Sequence, residues 1–374
     1  MLNAERQIRD LNWRYKMLIK VKGCRFTPYS LMFDPQVYLF DFSMERKMTK
    51  LLMVDEEHLS AAPFVDIRFE PMAKGHFFLP TLELFELESK HGMERPRSSF
   101  IFHHAFVCST LLARCLDQVD AFFSLKEPWI MRRLADTKRM PGNRYPRTQW
   151  KKMFKVYMML LARNYSAGRA PVIKATNVAN NLLPEVLRYL PDHRVTYLYS
   201  GLEDFLVSNL KKPEETKQKI PGLASRFAID EGFAKAYPGF SREREWTFLQ
   251  ASAIMWLASL YNFRVCVNRF QNQNVCTLEM NQFLAEPKGT MRALSAFFGH
   301  DPTELEVGQM TGIEVMGSNA KDSSQVYGPE KRSLESRKIL EAHGDEIRKT
   351  LSWINPLVRD LGVMEFMSAL RLVR

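Results

Sequence analysis

The chain has 374 residues, 46% of them hydrophobic and 25% charged, with 53 Lys and Arg against 42 Asp and Glu for a formal net charge of +11. That balance matches the globular average and excludes disorder as the main state, and no stretch reaches the roughly 18 uninterrupted apolar residues of a membrane span. Five cysteines form no CxxC pair, and the first residues carry Glu5, Arg6, Arg9 and Asp10 with no apolar core; both point away from a disulfide scaffold or a secretory leader and toward a cytoplasmic protein with reduced thiols.

Residues 1–95 read as an N-terminal α+β extension. A helical pattern runs from Gln7 to Lys20 and an extended apolar run from Gln36 to Phe42, and prolines at 28, 35, 63, 71 and 80 divide the rest into short elements. Nothing in this region suggests a role. Glu94-Arg95-Pro96-Arg97 marks a boundary, after which residues 96–374 change to strand–loop–helix units.

Phe100 to His104 predicts a strand, followed by a turn and a helix over Ser109 to Asp117. Residues 126–174 then hold all the excess charge, thirteen Lys and Arg against only Glu127 and Asp136. Such a field attracts an anion, a nucleic-acid backbone or an acidic surface, or it simply solvates a helix face, as Lys151, Lys152 and Lys155 would. Arg132, Arg133 and Arg139 are candidates to meet an anionic acceptor, or to face water. Phe154 and Tyr157 to Leu161 predict the buried side of a helix. Further strands are predicted over Ala170 to Lys174 and Arg194 to Tyr199, with helices over Leu183 to Leu190 and Glu203 to Lys212. Helices over Glu243 to Asn262, Lys288 to Phe298 and Pro329 to Trp353 complete the chain. This alternation predicts an α/β fold, a parallel sheet flanked by helices, with ligands bound beyond the carboxyl ends of its strands.

The candidate site residues lie in the loops where such a sheet binds ligands. The turn from His103 to Leu112 puts the hydroxyls of Ser109 and Thr110 at the first helical positions, where backbone N–H groups and the helix dipole hold an anion; the same pair would also serve as a plain helix cap. The glycines and lysine of a Walker A loop are missing. In Lys126-Glu127-Pro128 a carboxylate stands beside a cation before a fixed turn, as a general base near an anion would, or as an acidic residue favoured at a helix start. His103 and His104 end a strand, so alternation turns one of them toward the site. His104 as a base would rival Glu127; a satisfied core histidine is the plainer reading. Cys108 has no base beside it in sequence and reads as a small loop residue.

Taken in order, FHHAFVCSTLLARCLD (102–117), LKEP (125–128), VIKATNVANNLLPEVLRYLP (172–191) and RVTYLYSGLEDFLVSNLKK (194–212) resemble the motifs of bacterial sulfotransferases, and Leu278-Glu279-Met280 with FLAEP (283–287) and FFG (297–299) looks like that family's C-terminal strand and helix. The resemblance spans about residues 98 to 353. It implies a P-loop-like sulfotransferase fold, 3′-phosphoadenosine 5′-phosphosulfate as co-substrate, no metal, and a hydroxyl or amine acceptor. It implies further that Val107, Cys108, Ser109 and Thr110 hold the 5′-phosphosulfate, that Ser208 meets the 3′-phosphate, and that Glu127 and Lys174 match the carboxylate and lysine of the protein-tyrosine branch. Cys108 falls where the family usually has glycine. Phe106 falls where it has Lys or Arg, so Lys126 or Lys174 is expected to supply the charge at the leaving group. Ser200 occupies the position of the 3′-phosphate arginine, which leaves Lys211, Lys212, Arg194 or Lys321 to provide that cation. The segment Gly317 to Ser324 would close over the nucleotide, or is an uncommitted loop.

The leading reading is a sulfotransferase acting on a small-molecule or anionic acceptor. The replaced cations favour the alternative, a catalytically inactive protein of the same fold that binds nucleotide or a partner. A nucleic-acid binder would need a recognition motif or aromatic platform that the sequence lacks, and a P-loop kinase would need the missing lysine and magnesium carboxylates. The oligomeric state is not legible.

Overall fold

The structure is a computed structural model that describes residues 20–21, 24–25, 33–91, 98–140, 147–163, 165–166, 168–230, 232–237, 246–319, 322–326 and 328–373. The N-terminal helix expected before Lys20, the boundary at Glu94 to Arg97, and Lys321 lie outside the described residues.

Three antiparallel strands, β1 (Val37–Ser43), β2 (Met48–Met53) and β3 (Gly75–Pro80), form an N-terminal sheet in that order, followed by helix α1 (Thr81–His91). In β3 the alternation is clean: Phe77 and Leu79 are buried while His76 and Phe78 face out. β1 instead buries Val37 to Phe40 consecutively, because later helices pack on it.

The chain then builds a five-stranded parallel sheet from β4 (Ser99–His103), β5 (Phe122–Lys126), β6 (Ala170–Lys174), β7 (Arg194–Tyr199) and β8 (Val275–Glu279), in the spatial order β8-β7-β4-β6-β5. Phe100 at the centre lies opposite Ile173 on one side and Val195 on the other. Helices cover both faces, so the strands read as nearly unbroken buried runs. The helices after β4 include α2 (Ser109–Leu116), α3 (Trp129–Arg139), α4 (Arg147–Leu161), α5 (Leu183–Tyr189), α6 (Leu202–Leu210), α7 (Phe248–Phe270), α8 (Pro287–Phe297) and α9 (Pro329–Asp360). Strand alternation divides the interior in two. Ile101, Phe122, Val172, Leu198 and Leu278 join Leu112 of α2 and Leu294 of α8 on one face. Phe100, Phe102, Phe123, Ile173 and Tyr197 join Trp256 of α7 on the other, and that core continues into Tyr38, Phe40 and Phe69 of the N-terminal layer.

The predicted strands at 100–104, 170–174 and 194–199 hold to within a residue. β5 is an addition to the sequence reading, and α9 runs on to Asp360. Helix α7 starts at Phe248 because Thr247 and Gln250 close a capping box around its first turn, and it continues past Asn262 through buried Phe263, Cys266 and Val267. Ser318–Asn319 pairs antiparallel with Asp322–Val326, so the described part of the expected closing loop is a strand pair.

The strand order positions the site. From β4 the chain skips one place to the edge strand β5 and returns through β6, and then β6 crosses β4 to reach β7. The connections therefore diverge around β4 and leave a crevice at the carboxyl ends of the strands.

Candidate active site

A cavity of about 660 Å³ occupies this crevice, and each strand of the sheet sends the segment that follows it, loop or helix, to the wall: Phe106 to Leu111 after β4, Glu127 after β5, Asn177 after β6, Ser208 of α6 after β7 and Asn281 after β8. The β4 loop is sharply turned. Phe106 and Cys108 both adopt left-handed backbone, at φ 64° and 59°, a conformation that costs a residue with a Cβ about 1–2 kcal/mol. Cys108 thus takes up a conformation that glycine adopts without penalty. The turn aims the N-terminus of α2 at the cavity, with Ser109 and Thr110 in the lining.

Glu127 is tied twice to β6. Its N–H donates to the Lys174 carbonyl at 2.7 Å, and the Lys174 ammonium stands 2.5 Å from its Oε1. Lys174 is fully buried while Glu127 retains 21% side-chain exposure, so the carboxylate is the member of the pair that the cavity can reach. Glu127 is itself left-handed, at φ 57°. Non-glycine residues held in this region concentrate at functional sites.

Three predicted site residues are placed elsewhere. Lys126 and Lys174 are register partners on neighbouring strands and so leave the sheet on the same face. There Lys126 is taken by an ion pair with Asp117, 2.6 Å from Oδ2, and by a hydrogen bond to the Ser60 carbonyl at 2.8 Å. It is a buried structural cation and does not line the cavity. Lys126→Met would leave the buried Asp117 carboxylate uncompensated, which costs about 3–5 kcal/mol; urea denaturation should register a loss of that size.

His104 is no base either. Its Nδ1–H donates to the Ala105 carbonyl at 2.9 Å and its Nε2 accepts the Ser200 N–H at 2.8 Å, which fixes a neutral tautomer. Burial pushes its pKa down to about 4, against the raising effect of the Ala105 carbonyl, and only the neutral ring can accept the Ser200 N–H. Ser200, expected at the cofactor, is locked into the same arrangement. It is fully buried, and its carbonyl accepts from Trp256 Nε1 at 2.9 Å. Neither residue reaches the cavity; both hold the ends of β4 and β7 together. His103 does line it, with ring nitrogens 2.9 Å and 2.7 Å from the Ala175 and His104 carbonyls. Burial first, and then the Lys174 charge, lowers its pKa to about 3, which outweighs what the carbonyls would gain from a protonated ring.

The cavity's cations come from outside the basic segment. Lys212, just past α6, lies 4.4 Å over the ring of Phe106, so a charge stands directly above the residue that replaces the expected loop cation. Lys211 donates to Ser336 at 2.9 Å, with Glu335 at 3.8 Å, and Arg332 joins the wall from the first turn of α9. Burial lowers the Lys211 pKa; Glu335 opposes that effect and the Arg332 charge adds to it. Arg194 begins β7 at the opposite end of the sheet, with its guanidinium 3.4 Å from the Ala296 carbonyl and over the Phe297 ring. In the basic segment itself, Arg132, Arg133, Lys138 and Arg139 pair with Asp136, Asp41, Glu185 and Asp230. Lys151 and Lys155 rest over the Tyr189 ring, and Lys152 over Phe85. Folding thus brings in carboxylates from distant segments for several of these cations, and the segment's charge is not aimed at the cavity.

Phe64 and Arg68 of the N-terminal layer and Arg332 of α9 are among the lining residues that sequence reasoning missed. Among the described residues, no group of three or more His, Cys, Asp or Glu is arranged to hold a metal, and no helix is long and apolar enough to cross a membrane.

No family model and no curated protein matches the sequence. Among solved structures the chain is similar to a sulfotransferase from Alicyclobacillus acidocaldarius, at 12% identity and a TM-score of 0.37 over 71% of this chain and 96% of that one. It is also similar to the sulfotransferase domain from the curacin biosynthetic pathway, at 15% identity and a TM-score of 0.38 over 67% of this chain and 98% of that one. A sulfotransferase from Mycobacterium avium matches at 11% identity and a TM-score of 0.37, over 69% and 81% of the two chains.

Proposed function

We propose that the protein moves a sulfuryl group from 3′-phosphoadenosine 5′-phosphosulfate to an acceptor hydroxyl, with Glu127 as general base. The observation that carries this is the Glu127–Lys174 pair facing the same cavity as the α2 N-terminus and the ammonium of Lys212. A carboxylate held by a buried ammonium next to an anion cradle is the arrangement that proton removal beside an anionic leaving group requires.

The donor set fits a nucleotide with two separate anionic groups. Ser109, Thr110 and Lys212 would hold the 5′ end, and Ser208, Lys211 and Arg332 the 3′-phosphate. The bound nucleotide supplies the sulfuryl group. The acceptor oxygen forms its bond to sulfur as the bond from sulfur to the bridging phosphate oxygen breaks, and Glu127 takes the acceptor's proton. Lys174 fixes one carboxylate oxygen and therefore the direction in which the base faces. Lys212 and the α2 amides offer positive charge where the leaving phosphate gains negative charge.

Thermal denaturation with 3′-phosphoadenosine 5′-phosphate, AMP and ATP tests the nucleotide site. A ligand at a hundred times its Kd adds about 2.7 kcal/mol, so the 3′-phosphorylated nucleotide should raise the melting temperature by several degrees and AMP should do so far less. Lys212→Met should remove most of that shift. Equal shifts with all three nucleotides, or none at millimolar concentration, would rule out the assignment. A selective shift without sulfuryl transfer to any hydroxyl or amine acceptor would identify a non-catalytic nucleotide binder.

A further inference from the structure

The N-terminal layer reaches into the cavity beside Glu127 and does so rigidly. The Val65 N–H donates to the Lys126 carbonyl at 2.6 Å, and the Val65 carbonyl accepts from the Trp129 N–H at 3.0 Å. The backbone on both sides of Glu127 is therefore fastened to one residue of that layer. Val65 and Phe69 are buried, which anchors the segment between them. The neighbours Phe64 and Arg68 line the cavity together with Glu127.

Arg68 is held in a definite plane. Asp66 accepts from its Nε at 2.9 Å and from one terminal nitrogen at 2.5 Å, and the guanidinium lies 4.1 Å over the Phe64 ring. The hydrogen bonds to Asp66 are the main reason its pKa is raised, and the charge of Glu127 contributes in the same direction. Asp66 occupies one edge of the fork. The side chain remains 62% exposed, and the other terminal nitrogen makes no hydrogen bond among the described residues. A second cation is near, with the Lys174 ammonium 5.7 Å from the Phe64 ring centroid.

From this we infer that Arg68 selects the acceptor: a compound that presents its hydroxyl to Glu127, lays an aromatic or aliphatic body on Phe64, and carries a second, anionic oxygen group for the open edge of the Arg68 fork. The inference rests on Glu127 acting as the acceptor's base. Asp66 offsets much of the local positive field, so selection comes from the directed N–H donors of a planar guanidinium more than from net charge. A cationic acceptor would meet Arg68 and Lys174 as like charges. A neutral one would gain only the contact with Phe64.

Three phenols of similar shape separate these cases: 4-hydroxyphenylacetate (anionic), 4-ethylphenol (neutral) and tyramine (cationic). Their binding to the full chain is measured by calorimetry, with and without saturating 3′-phosphoadenosine 5′-phosphate. The anionic phenol should bind about tenfold more tightly than the neutral one, with tyramine weakest. Arg68→Gln should abolish that order, and Arg68→Lys, which keeps the charge and loses the fork, should lose most of it. The melting temperature of each variant shows that it is folded, and the nucleotide Kd should not change. Equal affinities for the three phenols, no binding by any of them, or an unchanged order in Arg68→Gln would overturn the inference. So would a loss of nucleotide affinity in Arg68→Gln, which would assign Arg68 to the nucleotide. Failure of the nucleotide to bind wild type, with the phenol order intact, would instead count against the proposed co-substrate.

Discussion

Glu127→Gln should lower kcat by about 10²- to 10⁴-fold, the range that a positioned general base contributes, while leaving the thermal shift on 3′-phosphoadenosine 5′-phosphate in place. The amide keeps an oxygen where Lys174 donates, so the buried ammonium retains a partner and the fold survives. What is lost is the ability to accept the acceptor's proton. Glu127→Gly separates the catalytic effect from the structural one. It relieves the left-handed backbone at φ 57°, worth about 1–2 kcal/mol, but leaves Lys174 buried without its carboxylate, at a cost of about 3–5 kcal/mol. The second effect is larger, so this variant should be both inactive and less stable than wild type. A Glu127→Gln enzyme with wild-type turnover would remove the carboxylate from the mechanism. A Glu127→Gly protein more stable than wild type would mean that the ion pair contributes little.

The sheet was legible because three of its strands are short apolar runs closed by turn residues, a pattern that local sequence carries in full. β5 was not, since Ser124 interrupts the apolar run Phe122-Phe123-Ser124-Leu125, and the groups that satisfy it when buried, the Ala113 carbonyl and the Asp117 carboxylate, are brought by α2 and the residue after it. The same blindness governed the choice among cations. Lys126 and Lys174 are equivalent by position, each the last residue of its strand, and only the places of Asp117 and Glu127 decide which of them serves the site. The basic run from 126 to 174 looked like a field because its countercharges, Asp41, Glu185 and Asp230, lie outside it. Arg68 and Arg332 belong to no motif in the sequence and gain their place only from packing. Ser109 and Thr110 at the start of α2 were identifiable as cavity-lining residues, because a helix N-terminus after a strand is a local feature.

Acid should weaken the protein well above the range in which carboxylates titrate. In the unfolded chain His103 and His104 titrate near 6.5, whereas burial lowers them to about 3 and about 4 in the folded protein. Above pH 6.5 both states hold them neutral and the stability is complete. As pH falls below 6.5 the unfolded chain takes up protons first, so stability is lost, by about 1.4 kcal/mol per pH unit for each histidine, until the folded pKa is passed. His104 gives the sharper test because its geometry and its pKa agree: Nε2 accepts the Ser200 N–H and cannot do so once protonated. His104→Asn can replace both hydrogen bonds without titrating, and should reduce the slope of unfolding free energy between pH 6 and 5 by about 1.4 kcal/mol per unit. An unchanged slope in urea melts would show that His104 is protonated in the fold. The same bond joins the end of β4 to the end of β7, the two strands followed by the turn into α2 and by α6 with Ser208. Protonation at this point sets two N–H groups against each other beside the proposed nucleotide site, and in the folded protein it takes place only near pH 4, so the stabilisation by 3′-phosphoadenosine 5′-phosphate should hold between pH 6 and 5, decline toward pH 4, and persist further into acid in His104→Asn.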